Sequence, residues 1–506
     1  MDTEERGTAL VVSRLEDGFL AVVRAGCPTC EMVVPALAEI ARSGLSLVVV
    51  SQDDPGFPEG LSSVDDRGLD VSLDLAVDVV PTLIRFEAGK AVDRTEGWAR
   101  PRWEALTGLD GIGEGLPEHR PGCGSLTADP VIAERLALRR SKFRSRRVEL
   151  ALVEDEAEAC FERGWTDGLP VVAPTEARLA RMLEGTRRDP GDVVAVAPPD
   201  LVECTVEKVA LNAVMAGCRP DYLPVVMAAV EAACTDAFNI HGLLATTHFA
   251  GPAVVVNGPI TRAIGMNSGV NALGQGNRAN ATIGRALQLV IRNVGGGRPG
   301  EVDRATLGTP AKYSFCFAED EAGSSWEPLS VERGLSEGTS AVTLFAGEAP
   351  RAVVDQLSRT PESLARSFAW CLGTVGHPKL ALTFDAVVVV SPEHGRVFRE
   401  AGWSKRRLRQ ELAALLERPV DEMVRGAGGC AEGMPPGGGS IFQGVGAGAA
   451  SRKGEARAPA GTVSKFAPDG LWFVRAGGAA GLFSAIVGGW VRGTVGSQMV
   501  TREVVL

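Results

Sequence analysis

A Cys-x-x-Cys sequence between an apolar segment and a periodic one constrains this chain more than any other feature. Cys27 and Cys30 follow the apolar run 19–23 and open a segment, 32–40, whose apolar residues recur with helical spacing. This pattern predicts a strand, a turn and a helix, with the first sulfur at the helix N-terminus. Free backbone N–H groups and the positive end of the helix dipole favour a thiolate there. Because two intervening residues let the second sulfur close a disulfide, the pattern predicts dithiol–disulfide exchange.

The rest of the first hundred residues agrees with this prediction. The run 45–50 predicts a second buried strand, and a proline enters a third strand, 79–86, which a turn connects to a return strand. With its Cys-x-x-Cys, a proline inside the first helix, a Val-Pro-Thr where the family has its cis-proline and a glycine after the hairpin, the chain resembles the thioredoxin superfamily. The resemblance covers residues 8 to 112 and implies a thioredoxin fold.

The resemblance also implies roles for the proline segment. In the thioredoxin superfamily this segment lies beside the disulfide and binds the substrate backbone, which implies that role for Val80, Pro81 and Thr82. A typical member has a tryptophan before the first cysteine and a buried aspartate on the preceding strand, where this chain has Gly26 and Ala21. The alternative interpretation of an isolated Cys-x-x-Cys is half a zinc site or two buried thiols. The chain has no second Cys-x-x-Cys to complete a four-cysteine site, so we expect a redox-active disulfide and no other cofactor.

The composition is that of an ordinary globular chain with several domains. Its 506 residues are 45% apolar and 23% charged, and the net charge is −11, which argues against a nucleic-acid surface. No run reaches the roughly 18 apolar residues that a membrane span needs, and the polar, acidic N-terminus has no signal-peptide core. Apart from one pair, the ten cysteines are scattered singly, unlike a secreted disulfide framework, so we expect a reducing cytoplasm.

The sequence divides into three parts, and its predicted fold class is α/β, with a thioredoxin fold followed by a large mixed α/β domain. We expect the redox domain over 1–112, a Gly/Pro-rich linker and charged helix over 113–160, and the large domain over 161–506, with a mobile glycine-rich segment near 425–469. Cys123 lies on the predicted linker, either as an exchange partner of the dithiol or as an incidental surface cysteine. The sequence shows no convincing internal repeat.

The large domain is similar to a bacterial family found beside small thiol- or selenol-bearing redox proteins that are named for a Sec-Gly-Ser-Cys motif. The matching runs cover most of residues 160 to 500, and they begin at Asp167, Glu207, Asn257, Arg278, Lys312 and Ser391. The resemblance supplies no reaction. It implies sulfur or selenium redox chemistry and a small redox protein as a partner.

Three cysteines of the large domain are candidates for a further reactive thiol. Cys316 lies in an alternating run that begins at Lys312, and a cation on the same side of a strand would lower the pKa of the thiol. Cys316 is therefore the preferred substrate-facing thiol. Cys218 lies at a helix end, and Cys430 lies in the glycine-rich segment, where it is sterically free to shuttle electrons. The alternative for each is a small buried apolar residue.

Two histidines form another candidate group. His241 and His248 precede a strand that ends at Asn257. Their seven-residue spacing without acidic or cysteine companions is weak for a metal site. It favours an acid/base or binding role over metal ligation, with a structural role as the alternative.

A glycine-rich turn before a helix is the densest polar signal of the chain. It carries Asn277, Arg278 and Asn280. Its letters match G-x-G-x-x-A, but neither a strand directly before it nor an acidic residue about 20 positions later is present, which argues against a dinucleotide site. The turn predicts either a cradle for a carboxylate or phosphate or a tight loop that needs its glycines and asparagines for backbone conformation.

Three functions fit these features. In the first, a thiol–disulfide redox enzyme, the Cys-x-x-Cys module serves a small-molecule-binding domain in thiol-dependent reduction or carbon–sulfur chemistry on a small-molecule or sulfur-containing substrate. Cys27 would attack, Cys30 would resolve, and Cys316 or Cys123 would be the internal partner. The second is a protein that binds and transfers a soft metal ion, and the third is a protein-disulfide reductase whose large domain selects its client. Glycine-rich interfaces also make a homo-oligomer plausible.

Overall fold

The computed structural model describes residues 15–133, 136, 143–151, 154–435 and 461–505. The chain forms two compact units, Met1–Lys142 and Phe143–Leu506, here called the first and second body. Both contain helices and sheets, which confirms the predicted α/β class. Parts of the predicted charged helix and of the predicted glycine-rich segment lie outside the described residues.

The first body is built on a five-stranded mixed sheet. The strands of the first body, including four that lie outside this sheet, are β1 (Gly18–Val23), β2 (Leu47–Ser51), β3 (Ser63–Asp65), β4 (Val79–Val80), β5 (Thr82–Glu87), β6 (Lys90–Glu96), β7 (Trp98–Ala99), β8 (His119–Arg120) and β9 (Cys123–Gly124). Its helices are α1 (Pro28–Arg42), α2 (Asp70–Asp74) and α3 (Arg100–Thr107). The sheet order is β3-β2-β1-β5-β6, with β1 parallel to β2 and antiparallel to β5.

The elements around the Cys-x-x-Cys form as the sequence predicts. Strand β1 is buried along nearly all its length, as a continuous apolar run in the middle of a sheet requires. Helix α1 buries Val33, Leu37 and Ile40 in the same core as β1, because residues three and four apart share one helix face. The end of β1 and the start of α1 are thereby fixed by packing, and the turn between them carries Cys27.

The second body contains more elements and an eight-stranded sheet. Its strands are β10 (Val193–Ala197), β11 (Val202–Thr205), β12 (Gly251–Asn257), β13 (Cys316–Ala318), β14 (Ala341–Gly347), β15 (Arg351–Val354), β16 (Phe384–Val390), β17 (Glu417–Pro419), β18 (Thr462–Ser464), β19 (Leu471–Arg475), β20 (Phe483–Val491) and β21 (Val500–Glu503). Its helices are α4 (Glu156–Glu162), α5 (Glu176–Leu183), α6 (Val206–Ala216), α7 (Leu223–Ala233), α8 (Ile240–Ala245), α9 (Ile260–Ala263), α10 (Arg278–Asn293), α11 (Leu329–Glu332), α12 (Pro361–Leu372), α13 (Pro392–Glu400), α14 (Lys405–Leu415) and α15 (Val420–Met423).

The large sheet contains one strand arrangement twice, which the sequence does not reveal. In one half β12 pairs in parallel with β13 and antiparallel with β14, and β14 pairs with β21. In the other half β16 pairs in parallel with β19 and antiparallel with β20, and β20 pairs with β15. The outer strands are exchanged, because β15 follows β14 in the chain and β21 follows β20. Each half is therefore completed by a strand from the other half.

The two halves of the sheet meet at a pair of glycines. Gly347 of β14 lies opposite Gly489 of β20. A Cβ atom on Gly347 would lie 2.6 Å from Val487 Cγ1, and one on Gly489 would lie 2.8 Å from Phe345 Cζ. Only glycine allows this approach, so the junction depends on these two residues.

The helices of the described residues were compared with the length and hydropathy of a membrane-spanning helix. Among the residues that the structure describes, no helix combines the length and the apolar character needed to cross a membrane. The longest helix of the second body is amphipathic, with Ile283, Leu287 and Val290 buried and charged residues elsewhere on its surface. Its apolar face belongs to the core of the second body.

Candidate functional site

Cys27 and Cys30 lie at the junction between the end of β1 and the start of α1. Cys27 is the N-cap of α1, as predicted, and the backbone N–H of Cys30 donates to Cys27 Sγ over 3.4 Å. The Cys27 sulfur lies 3.6 Å from the carbonyl oxygen of Val80, and the Val80–Pro81 peptide bond is cis. The fold therefore brings together the Cys-x-x-Cys and the proline segment, which are far apart in the sequence.

The two cysteines of the motif differ in the ease with which they ionise. Burial opposes ionisation of Cys27, but hydrogen bonds to its sulfur from the Cys123 thiol and from Cys30 outweigh burial and lower its pKa. Burial raises the pKa of Cys30 far above its ordinary value, and the nearby charge of Cys27 raises it further. Cys27 therefore ionises more readily than Cys30, which favours Cys27 as the nucleophile of the pair.

Cys123 is the third sulfur of this centre. It lies on β9, which pairs antiparallel with β4 so that Cys123 is opposite Val80, the residue whose carbonyl oxygen lies 3.6 Å from the Cys27 sulfur. Burial and the charge of Cys27 raise the pKa of Cys123. Cys27 and Cys30 have no exposed surface, whereas Cys123 is half-buried. Instead of lying on a free linker, Cys123 is held against the dithiol by strand pairing.

The segment that carries Cys123, residues 117–127, is here called the strap. At one end the Trp98 indole N–H donates to Pro117 O over 2.6 Å, and in the middle Thr29 Oγ1 donates to Pro121 O over 2.8 Å. Gly122 packs so closely on β4 that a Cβ atom there would lie 2.7 Å from Val80 O. The strap therefore lies directly over the start of α1 and the proline segment.

Gln52 fixes the far end of the strap, although it is not among the predicted site residues. Its side chain is 1% exposed and donates to Ser72 Oγ over 2.9 Å and to Ser125 Oγ over 2.7 Å. Its own oxygen accepts from the backbone N–H of Leu126 over 3.1 Å. The one signal in the sequence is a polar residue at the end of a buried strand, where an unpaired amide would be costly.

The remaining residues of the proline segment support its backbone. Thr82 is buried, and its hydroxyl donates to Val79 O over 2.6 Å. The backbone N–H of Gly97 donates to Pro81 O over 2.7 Å. These bonds hold the carbonyl of Val80 beside the Cys27 sulfur.

The preferred thiol of the second body, Cys316, has different surroundings from those predicted. Lys312 lies in a 3-10 turn, Pro310–Lys312, not on the strand, and its amine binds the Asp303 carboxylate at 2.6 and 2.7 Å. Burial raises the pKa of Cys316, and neighbouring Cys218 raises it further. Burial also raises the pKa of Cys218 to about 12. Both thiols are core groups that stay protonated at neutral pH.

Cys430 differs from Cys316 and Cys218 in having a histidine ring beside its sulfur. It is half-buried, and its sulfur lies 3.6 Å from His377 Nε2. Because His377 Nδ1 accepts from the Lys379 backbone N–H over 3.2 Å, the neutral ring carries its proton on Nε2 and donates toward the sulfur. The Lys379 amine donates to Ala427 O over 2.8 Å and so holds the turn before Cys430.

His248 is paired with a carboxyl group that sequence reasoning missed. Its Nε2 lies 2.8 Å from Glu348 Oε1, while His241 lies exposed on α8. Burial lowers the pKa of His248 and raises that of Glu348. Both shifts favour the uncharged forms, so the pair can hold or pass one proton.

Asn257 ends β12 in a buried polar cluster. Its amide donates to Glu319 and Glu321 at 2.8 and 2.9 Å. The Lys405 amine lies 4.0 Å from Glu319 and 3.1 Å from Glu332. Burial raises the pKa of Glu319, although Lys405 and Asn257 oppose the rise. The cluster joins the carboxyl ends of β12 and β13 to α14.

In the predicted anion cradle, the polar side chains form hydrogen bonds to the protein's own backbone. Asn277 caps α10 by accepting from the Asn280 N–H over 3.0 Å, and its amide donates to Gly265 O over 2.8 Å. Arg278 donates to Gly217 O over 2.9 Å, and the Asn280 amide binds two backbone carbonyls. These contacts favour the alternative interpretation, a tight loop closed by its own asparagines.

The function of this chain is inferred from the three-thiol centre formed by Cys27, Cys30 and Cys123, because comparison with other proteins indicates no function. Among the described residues, no group of three or more His, Cys, Asp or Glu side chains is arranged to hold a metal ion. No protein-family model matches the chain, and no curated protein matches it.

Proposed function

We propose that this protein is a thiol–disulfide oxidoreductase in which the Cys27–Cys30 dithiol serves a fused domain that binds a small-molecule or sulfur-containing substrate. The observation that carries the proposal is the environment of Cys27 Sγ, a buried sulfur at a helix N-terminus that accepts hydrogen bonds and has a lowered pKa. A thiolate is the nucleophile of disulfide exchange, so this environment supports Cys27 as the attacking sulfur.

Cys30 resolves the reaction. Cys27 thiolate attacks one sulfur of a substrate disulfide, a Cys27 mixed disulfide forms, and the other half of the substrate leaves as a thiolate. Cys30 then loses its proton, attacks Cys27 Sγ and releases the second half of the substrate. The substrate disulfide is reduced to two thiols, and the dithiol is oxidised to the Cys27–Cys30 disulfide.

In the second body, Cys430 is the thiol best suited to face a substrate. Its half-buried position and the His377 ring beside it support this role, whereas Cys316 and Cys218 are core thiols with raised pKa values. Apart from Cys27 and Cys30, the cysteines are scattered singly along the sequence, which supports a reducing compartment such as the cytoplasm as the site of action.

The test is the reaction of the reduced full-length chain with oxidised glutathione. We expect stoichiometric release of glutathione thiol and a disulfide that peptide mapping locates at Cys27. Cys27→Ser should abolish the release, while the matched control Cys371→Ser, at a half-buried cysteine of the second body, should not change it. If Cys27 forms no disulfide under these conditions, the proposal is wrong.

Rapid reduction of insulin by the same chain would instead favour a general protein-disulfide reductase. A soft-metal carrier would retain metal on purification and lose it in Cys27→Ser. These two measurements separate the alternative functions from a dedicated oxidoreductase.

A further inference from the structure

We propose that Cys123 is the entry sulfur of the dithiol, the atom at which a small external thiol exchanges with the buried Cys27–Cys30 pair. The inference rests on the proposed function and adds a third exchange residue and a substrate class to it. Its starting point is exposure. Cys27 and Cys30 are each 0% exposed, whereas Cys123 is half-buried, so an external sulfur meets Cys123 before it meets either of the other two.

The strap places Cys123 in position to exchange with Cys27. Strand pairing sets Cys123 opposite Val80, whose carbonyl oxygen lies 3.6 Å from Cys27 Sγ. The Cys123 thiol is also one of the groups that lower the pKa of Cys27. Thr29, Gln52 and the tight packing of Gly122 hold the strap in this register. Cys30 and Cys123 are therefore both placed to form a disulfide with Cys27.

The pKa values of the two sulfurs also favour attack of an external thiolate on Cys123, with Cys27 as the leaving group. A thiolate that attacks a disulfide displaces more readily the sulfur with the lower pKa. In a Cys27–Cys123 disulfide that sulfur is Cys27, because its pKa is lowered while that of Cys123 is raised. Accessibility and leaving-group strength thus both direct an external thiolate to Cys123.

The steps balance with a small thiol as the reductant. Starting from the Cys27–Cys30 disulfide, the Cys123 thiol loses its proton and attacks Cys27 Sγ, and Cys30 leaves and takes up a proton. The external thiolate attacks Cys123 Sγ, so Cys27 leaves as a thiolate and a mixed disulfide remains on Cys123. A second external thiolate attacks the external sulfur of that mixed disulfide and releases Cys123. Two external thiols become one disulfide, and the Cys27–Cys30 disulfide becomes two reduced cysteines.

The first test is the rate at which reduced glutathione opens the Cys27–Cys30 disulfide of the full-length oxidised chain. We expect Cys123→Ser to slow this reduction at least about tenfold, since it removes the exposed sulfur and leaves the strap closed. In Cys30→Ser, mild oxidation should give a Cys27–Cys123 disulfide that peptide mapping identifies. Normal reduction rates in Cys123→Ser, together with no Cys27–Cys123 disulfide in Cys30→Ser, would overturn the inference.

A matched glycine pair tests whether the closed strap is the barrier. A Cβ atom at Gly122 would lie 2.7 Å from Val80 O, whereas one at Gly124 would meet nothing within 4 Å. In the Cys123→Ser background, Gly122→Ala should displace the strap and restore fast reduction, and Gly124→Ala should not. Equal rates in the two double variants would contradict the role of the strap.

The same measurements separate this inference from the proposed function. If the Cys27–Cys30 disulfide forms and is reduced independently of Cys123, the inference fails and the proposed function stands. If no disulfide forms at Cys27 in any variant, the proposed function itself fails.

Discussion

Cys27 and Cys316 are both buried thiols beside parallel strands, but their pKa values move in opposite directions. Cys27 has no exposed surface, and Cys316 has 6% exposed. At Cys27, hydrogen bonds from Cys123 and Cys30 outweigh burial and lower the pKa. At Cys316, burial and neighbouring Cys218 both raise it. Hydrogen-bond donors directed at the sulfur, and not the degree of burial, decide the direction in which the pKa of these two thiols shifts.

The sequence position of each thiol explains the difference. Cys27 lies before the first turn of a helix, where backbone N–H groups have no intrahelical acceptor. Cys316 lies on the edge strand β13, whose backbone pairs with β12, and not before the first turn of a helix. A lysine near Cys316 in the sequence does not replace these donors, because Lys312 is turned to Asp303.

The largest expected effect comes from removing the Cys27 thiol, with removal of the Cys316 thiol as the comparison. We expect Cys27→Ser to lower the rate of thiol–disulfide exchange by a factor on the order of a thousand or more, because it removes the nucleophile. Cys316→Ser should leave the rate within about twofold, provided that the chain remains folded by circular dichroism. A large loss of exchange in a folded Cys316→Ser would show that burial does not silence this thiol. Stopped-flow measurement with oxidised glutathione checks both variants.

Lys465 extends the comparison to a buried amine. Burial lowers its pKa from 10.5 to about 7, even though its amine donates to His377 O and Leu380 O at 2.6 and 2.8 Å. Between these pH values the unfolded chain binds the extra proton, so the free energy of unfolding should rise with pH, by at most about 1.4 kcal/mol per unit. Urea unfolding should show this rise in wild type and its loss in Lys465→Met.

The control for this prediction is Lys90→Met, at an exposed lysine, which should keep the pH dependence of wild type. A rise that persists unchanged in Lys465→Met would show that another group is responsible.

The smallest expected effect is the change in the pKa of Cys27 when the Cys123 thiol is removed. Cys123→Ala removes one hydrogen bond to the Cys27 sulfur, and a bond of this kind contributes about 1–1.5 kcal/mol, or roughly one pKa unit. We therefore expect the pKa of Cys27 to rise by about that amount, as followed by thiolate absorbance against pH. Cys371→Ala is the control that should leave it unchanged. An unaltered pKa in Cys123→Ala would mean that the backbone N–H groups suffice.

Local patterns predicted much of the fold. The helices α1 and α10 and the strands β1, β5 and β12 are predicted because apolar spacing depends only on neighbouring residues. The run from Lys312 was predicted as a longer strand, but only Cys316–Ala318 is one. Pro310 and Lys312 form a turn instead, since Lys312 pairs with Asp303. The repeated strand arrangement of the large sheet stayed hidden because it is a repeat of pairing, not of residues.

By itself the sequence determined the end of β1, the start of α1 and the position of Cys27 between them, because capping and helical spacing act within one or two turns of chain. Only the tertiary structure decided which distant groups surround that sulfur. The pairing of β9 with β4 sets Cys123 beside it, and the side chain of Gln52 holds the strap in place. Hydrogen bonds and burial act through space, so the environment that makes Cys27 reactive is created when these remote segments pack together.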